Sequence, residues 1–459
     1  MSLPDPANRL HRSIKLALDS GEASSYEMAH QIFSQYQVAL EIGPNVAQSA
    51  TLQAAVLTVV NVARRCFLGG VNVSGYTDFP LTTPGWRGER LSTAIARHGG
   101  LFTSSTPSNV PRIIIGNELP GVIRSGIAIR GTFDGWLAAV APLGAGLQLP
   151  ESQECPLAGV LIGGLAVTEA FLHVRGQANA GRRIVKFNLW SPEALSMARM
   201  LSDLGPGLER LPSKLWMIGL GHLGQAVLWT LGFLPYERPY EMAIVLQDYE
   251  ELVEANASTG LLTFANNLGQ MKTRAMAMWC EQRGFSTRIV ERPFAENFRI
   301  DPDEPQVAVC GVDNAEARAA LEGVGFQRIV EAGLGHGIDD YLAFQVHIFP
   351  AEKTARIRWK SGGASRSLNN GPIPPAYRRM LEEGLDECGV TLLSGRAVGA
   401  PFVGTVVATF IVAELVRLAY GGHRYEVIDG DLRNLAKRQV ITTREATLPF
   451  NPGITAGYV

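Results

Sequence analysis

Residues 214 to 229, KLWMIGLGHLGQAVLW, run from an apolar strand-like segment into Gly219-Leu220-Gly221-His222-Leu223-Gly224 and straight out into a helix-like one. A G-x-G-x-x-G turn between a strand and a helix has a mechanical reading. The first glycine turns sharply, the second lets a phosphate approach the backbone, and the third lets helix pack on strand. A nucleotide is implied, with two readings open: a dinucleotide carrying hydride, or ATP spent to activate something.

The same turn implies a parallel sheet, and the rest of the second half supplies its other strands. Apolar β-prone runs at 214–218, 242–247, 286–291, 306–310 and 328–332 alternate with helix-like segments at 222–233, 270–283 and 314–323. Strands separated by helices predict crossover units and an α/β, Rossmann-like sheet that is mostly parallel and covered on both faces. From Tyr341 the pattern changes: YLAFQVHIF and TARIRW read as paired strands, so an antiparallel extension and a mixed sheet are expected.

The first half echoes the second. CPLAGVLIGGLAVTEAF (155–171) aligns with APFVGTVVATFIVAELV (400–416), with Pro156 and Pro401 each 13 residues before Glu169 and Glu414, and Gly159 and Gly404 each three after the proline. Earlier, residues 38–65 again run apolar stretch, glycine, helix, but hold Gly43 alone where the second half has three glycines. Internal repetition points to an intact copy joined to a degenerate one that lacks the phosphate loop. The expected division is a degenerate copy over 1–205 and an intact one over 206–459, with a crossover segment at 351–400. The Gly- and Pro-rich stretch 202–213 forms the boundary.

At 459 residues two domains are the natural expectation. Charged residues make up only 18% and apolar ones 46%, against roughly 25% charged in an average soluble domain. Much surface should therefore be hidden inside or at a subunit contact, and a homodimer is in view. A net charge of −2 gives no basic excess for nucleic acid or an anionic membrane, so neither is an expected partner. Cys66, Cys155, Cys280, Cys310 and Cys388 show no C-x-x-C spacing, which argues against a disulfide framework or a thiolate zinc site and suits a reducing cytoplasm. The N-terminal residues lack the apolar core of a secretory signal. The longest apolar run, 399–413, is closed by Glu414 and Arg417 and falls short of the ~20 residues of a membrane span, so it reads as a buried core helix.

What separates the two nucleotide readings lies downstream of the glycines. Asp248, at the end of a strand, could hold ribose hydroxyls in either. Lys272 and the pair Asp313-Asn314, followed by Arg318, have no place in a dehydrogenase. Attack on phosphorus builds negative charge that a lysine and Mg2+ must neutralise, and aspartate is a suitable hard ligand for Mg2+. In order, Gly219, Gly221, Gly224, Asp248, Glu250, Asn256, Gly269, Lys272, Asp313, Asn314 and Arg318, with VEAGLGHG after them, resemble the pattern of the ThiF, MoeB and ubiquitin-activating enzyme family. The resemblance covers about 210–435 strongly and the degenerate copy weakly.

It implies an adenylation domain using ATP and Mg2+. Gly219, Gly221, Gly224, Asp248, Asn256, Lys272 and Asn314 would bind nucleotide, Lys272 and Asp313 would be catalytic, and Asp313 would hold the metal. One departure stands out. The family places an Arg-Gln pair after the asparagine, and this chain has Thr259-Gly260. The missing charge would come from Arg274 or, as the family implies, from an N-terminal helix of the other half, where Arg9 and Arg12 are candidates. His222 is expected to be a surface residue at a helix start, and Asp313-Asn314 would serve equally as a helix cap.

Family members feeding conjugation pathways pass the acyl group to a cysteine in a loop before the last long helix. That position implies Cys388, between a helix at 374–386 and the one starting near Pro401, with Arg396 the nearest cation in sequence. Cys280 and Cys310 read as core residues. A degenerate copy fused to an intact one further resembles the single-chain activating enzymes of bacterial operons that conjugate ubiquitin-like proteins, the BilD type of antiphage defence among them. The implied partners are a ubiquitin-like protein and a conjugating enzyme. Three alternatives stay open: a sulfur-carrier adenylyltransferase of thiamine or molybdopterin synthesis, a nicotinamide-dependent oxidoreductase, and a scaffold that binds a ubiquitin-like protein without turnover.

Overall fold

The computed structural model describes residues 8–104, 107–117, 126–360, 375–382, 397–421, 425–443 and 450–458. The first half builds one sheet from β1 (Gln37–Ile42), β2 (Gly70–Gly75), β3 (Gly100–Phe102), β4 (Arg112–Ile115), β5 (Ala128–Asp134), β6 (Leu137–Pro142) and β7 (Val185–Asn188). Their order is β3-β2-β1-β4-β5-β6-β7, parallel as far as β5 and antiparallel beyond it. A short strand β8 (Arg210–Pro212) follows and later pairs with β17 (Ile454–Ala456).

The second half repeats the plan with β9 (Lys214–Ile218), β10 (Ala243–Gln247), β11 (Ser286–Val290), β12 (Val307–Cys310), β13 (Arg328–Leu334), β14 (Ala343–Phe349), β15 (Tyr425–Asp431) and β16 (Gln439–Thr442). Their order is β11-β10-β9-β12-β13-β14-β15-β16, again parallel through the fifth strand and antiparallel thereafter. Two mixed, mostly parallel sheets of the same strand order in one chain are what the echo between the halves requires.

The continuous apolar character of β9, β10 and β12 follows from burial on both faces. Alternate residues go to different cores. Trp216, Ile218, Val245, Ala308 and Cys310 pack with Phe294, Phe298 and Phe326 on one side. Leu215, Met217, Ile244, Leu246 and Val309 join the large core on the other. That large core runs through both halves. Its centre is the helix Pro156–Val174, which lies against Ala50–Ala63 and Pro401–Tyr420, the last also packing on His222–Leu231. Both long helices begin with proline at the first turn, where the missing N–H costs no helical bond. Each is long and apolar enough to cross a membrane by length and composition, yet their most apolar windows are 89% and 94% buried inside the protein.

Two glycines let these helices close up. A Cβ at Gly159 would lie 2.0 Å from Thr51 O, and one at Gly404 would lie 2.3 Å from His222 Nε2. They are the two aligned by the sequence echo, each pressed on the first turn of the helix that follows β1 or β9.

One expected element is wrong. TARIRW is not a strand; Ala355–Lys360 is a helix, and β15, from residues 425–431, takes the place beside β14. The alternation of Arg356 and Arg358 with apolar residues imitates a strand, but the buried contacts fall on Ala355 and Trp359, four apart, against the helix Ala315–Ala320. Thr354 Oγ1 accepts the Ile357 N–H at 3.3 Å and Glu322 caps the Ala355 N–H, which fixes the helix start. Of the helix expected at 374–386, residues Pro375–Glu382 are described and helical. Cys388 and Arg396 lie outside the described residues.

Candidate active site

At the C-terminal ends of the second sheet's strands, where parallel sheets place ligands, a cleft of ≈ 590 Å³ opens. Its walls include Gly219, Gly221, Asp248, Glu250, Asn256, Lys272, Asp313, Asn314 and Arg318, residues that come from turns spread over a hundred positions of sequence.

The glycine turn is built as its spacing suggests. Gly219 adopts φ +87°, and its Cβ would meet Val312 Cγ1 at 2.9 Å. Gly224 permits the helix to close on the turn, since a Cβ there would lie 2.1 Å from Gly219 O. Gly221 faces open space, with nothing within 4 Å of where its Cβ would be. It is also the N-cap of His222–Leu231, and no side chain caps that helix. The first-turn N–H groups and the positive end of the helix are thus left toward the cleft, as an anion site requires.

Asp248 holds the turn in shape. Its Oδ2 accepts the Leu220 N–H at 2.7 Å, while Oδ1 accepts the N–H groups of Tyr249 and Glu250 at 2.8 and 2.9 Å. Lys272 is 5% exposed and donates to the carboxylate of Glu250, which keeps the ammonium on the cleft wall. Asn256 accepts the Val253 N–H at 2.9 Å and shapes the turn Glu254–Ser258. Asn314 caps Ala315–Ala320, accepting from Glu316 and Ala317 N–H at 2.8 and 3.1 Å. Its neighbour Asp313 is exposed to the cleft, and among the described residues no hydrogen bond or ion pair engages it. Arg318 turns inward. Its Nε donates to Val312 O at 2.7 Å and lies 3.2 Å from the buried Glu331, so it braces the loop from below.

The N-terminal cations separate cleanly. Arg12 lines the cleft; Arg9 does not, and its exposed guanidinium lies 3.9 Å from Glu254. Arg12 is fastened by its backbone, N–H to Ser258 Oγ at 3.0 Å and C=O from Gly399 N at 3.1 Å. A Cβ on Gly399 would touch Thr259 Cγ2 at 2.5 Å and Arg12 Cβ at 2.6 Å, so Arg12 passes beside the short side chain that stands where the family pattern has arginine. Arg274 points elsewhere, paired with Glu291 at 2.9 Å on the exposed face of its helix.

His222 is not a surface residue. Its ring is tucked against Pro401 and Gly404, and burial lowers its pKa from 6.5 to about 4, so it is neutral. Residues 397–403, the helix start expected near Pro401, close over the glycine turn, and the burial of His222 there is what local spacing does not show. Sequence reasoning also missed Arg292, an exposed cation on the rim, whose carbonyl accepts from Gln247 Nε2 at 3.2 Å. The other described cysteines are core residues: burial raises Cys155, Cys280 and Cys310 to about 12, and pushes Cys66 up as well. None of these four is a thiolate at neutral pH.

The corresponding turn in the first half is built differently. By strand register Ile42 at the end of β1 corresponds to Ile218 at the end of β9, so Gly43 corresponds to Gly219. The 3-10 helix Pro44–Gln48 follows, and Asn45 Oδ1 accepts the Asn117 N–H at 2.6 Å. The helix start is capped twice, by Ser49 Oγ on Leu52 N–H at 3.1 Å and by Glu154 Oε2 on Thr51 N–H at 2.8 Å.

Comparison with known proteins agrees with this two-part plan. Residues 37–189 match the model described as the BilD N-terminal domain and residues 211–422 that of the BilD C-terminal domain. A protein of Collimonas sp. (strain OK412) described as bacterial E1-like protein BilD is 39% identical over 436 residues, covering 95% of this chain and 94% of that one. Among solved structures, E. coli MccB is 12% identical, covering 71% of this chain and 95% of that chain at a TM-score of 0.33. E. coli tRNA N6-threonylcarbamoyladenosine dehydratase, TcdA, is 13% identical, covering 46% and 86% at 0.31.

Proposed function

The chain belongs to the BilD family of bacterial E1-like proteins, and on that premise we propose that its second half adenylates the C-terminal carboxylate of a ubiquitin-like protein and then carries the acyl group on Cys388. A carboxylate is a poor electrophile, which is why nucleotide chemistry comes first. One carboxylate oxygen attacks the α-phosphorus of ATP, the bond to the β-phosphate oxygen breaks, and pyrophosphate leaves an acyl-AMP anhydride. The Cys388 thiol then gives up its proton and attacks the acyl carbon, and AMP departs as the thioester forms.

The observation carrying this reading is the convergence on one cleft of the open glycine turn, Asp248, Lys272, Arg12 and Asp313. The turn and the uncapped helix start would cradle the phosphates, Asp248 the ribose, and Lys272 with Arg12 the charge that grows in the transition state. Mg2+ usually takes one or two carboxylates, with phosphate and water completing the shell. Asp313, exposed and without a hydrogen bond or ion pair among the described residues, fits that role. When bound, the metal would supply charge neutralisation on the phosphate oxygens. The first half, with its helix start capped by Ser49 and Glu154, would be catalytically silent and contribute Arg12. A conjugating enzyme would accept the thioester downstream, in a bacterial conjugation pathway of the antiphage kind working in the cytoplasm.

The test combines two readouts with ATP, magnesium and the candidate ubiquitin-like protein: ATP–pyrophosphate exchange, and a thioester band shift removed by dithiothreitol. Cys388→Ala should keep exchange and lose the shift. A shift that persists in that variant overturns the cysteine assignment. Exchange without a shift in the wild type favours a sulfur-carrier adenylyltransferase instead, and stable binding without exchange favours a scaffold.

A further inference from the structure

A second cavity of ≈ 430 Å³ lies on the other side of the turn Glu254–Ser258, lined by Arg9, His11, His30, Arg64, Arg65 and Glu254. Three guanidinium groups and two imidazoles thus face a single carboxylate, in a chain whose net charge is −2. The cations come from three separate elements: the segment leading to Arg12, the helix Tyr26–Ser34, and the end of the helix Ala50–Ala63.

Two of these groups are fixed and have polar atoms to spare. Arg65 is fully buried and held across the two halves by Leu261 O at 3.0 Å and Thr263 O at 3.3 Å, with its Nε left without a partner. His11 Nδ1 is likewise buried and unpartnered. A buried polar atom without a partner is costly, and Arg65 Nε and His11 Nδ1 are two such atoms in residues that line one cavity. The surrounding field has the matching sign: burial first, then His30 and Arg65, lower the His11 pKa to about 4.

We propose that this cavity is a binding site for a phosphate-class oxyanion, taken by the guanidinium groups of Arg9 and Arg64 and by N–H groups of His11 and His30. Guanidinium forks match a tetrahedral oxyanion with several acceptors better than they match a single carbonyl. The site shares a wall with the active cleft. Arg9 and His11 line one and Arg12 the other, while Ser258, which accepts the Arg12 N–H at 3.0 Å, lies on the cavity side of the turn that carries Asn256. An anion here therefore braces both the segment and the turn that shape the nucleotide cleft. The choice of pyrophosphate as first probe rests on the adenylation reading, because that reaction releases it next door; the cavity does not.

The test is calorimetric titration of the full chain with pyrophosphate, and separately with inorganic phosphate, alone and with the cleft filled by a non-hydrolysable ATP analogue. Pyrophosphate binding should persist with the cleft filled. It should weaken about tenfold in His30→Ala and in Arg64→Ala, the loss expected for one charge-assisted bond, while affinity for the analogue stays unchanged. Tighter binding of pyrophosphate than phosphate identifies the larger anion as the natural class, and the reverse order identifies the free monophosphate. His30 is exposed on its helix, so His30→Ala decides the matter should Arg64→Ala fail to fold. Pyrophosphate heat that disappears once the cleft is filled, or that survives both substitutions unchanged, overturns the proposal. A chain that fails to bind the ATP analogue at all sinks the adenylation reading and leaves this result readable, because His30→Ala is scored against pyrophosphate alone.

Discussion

The two halves have the same strand order and matching proline-started helices, yet the helix after the first strand is uncapped in one and capped by side chains in the other. The difference lies in a few atoms at one turn. After β9, Gly221 presents no side chain and the next helix begins uncapped. After β1, Ser49 and Glu154 take the first N–H groups of the helix. The first half thus supplies its own hydroxyl and carboxylate to a helix start that the second half leaves uncapped.

That contrast can be broken from the open side first. Lys272→Ala should lower ATP–pyrophosphate exchange by roughly 10²–10³-fold, as loss of one charge-stabilising donor does, and wild-type exchange in that variant would end the adenylation reading. Gly221→Asn puts a side chain into the open turn. Crowding of the phosphates by about 1.4 kcal/mol or more predicts ATP binding weakened roughly tenfold or more, with the melting temperature nearly unchanged because a Cβ there has nothing within 4 Å. ATP affinity left intact would show that the second glycine does not face the nucleotide.

Acidification sharpens the comparison at the two helix contacts. His222 is held neutral against Gly404 with a folded pKa of about 4, below its ordinary 6.5, so the unfolded chain binds the extra proton first. Stability should therefore be whole above about 6.5 and fall as pH drops toward 4; thermal melting across that range checks it. His11, also at about 4, adds to the slope. His222→Gln should flatten part of it, and an unchanged slope would contradict the burial. The smallest effect belongs to the capped half: Glu154→Gln should cost about 1 kcal/mol of stability and leave exchange untouched.

Much of the site was legible because its signals are local. The three glycines, Asp248 at a strand end and Asp313-Asn314 before a helix each carry their geometry in a few consecutive residues, and a parallel sheet then has to bring strand ends together. What depended on distant chain was not. Arg9 and Arg12 look alike in sequence, and backbone bonds of Arg12 to Ser258 and Gly399, 246 and 387 residues away, put one in the cleft and leave the other outside it. His222 was misjudged for the same reason, its burial coming from the helix that begins at Pro401. Residues 354–359 failed differently: two arginines at alternate positions imitate a strand, and only packing on Ala315–Ala320 selects the helix. The cap that Glu154 places on the helix start at Thr51 comes from 103 residues away and left no local trace beyond the lack of two glycines.

Arg65 gives the joined halves a practical meaning. It sits in the first half and satisfies backbone carbonyls of Ala257, Leu261 and Thr263 in the second, beneath a core common to both. In an assembly of separate subunits such a joint comes apart on dilution, whereas a tether keeps the partners at an effective concentration that no dilution lowers. On the adenylation reading proposed above, the first copy is in this sense a resident subunit, synthesised in fixed one-to-one ratio with the copy it supports. Specific activity should accordingly be flat as enzyme concentration falls through the nanomolar range.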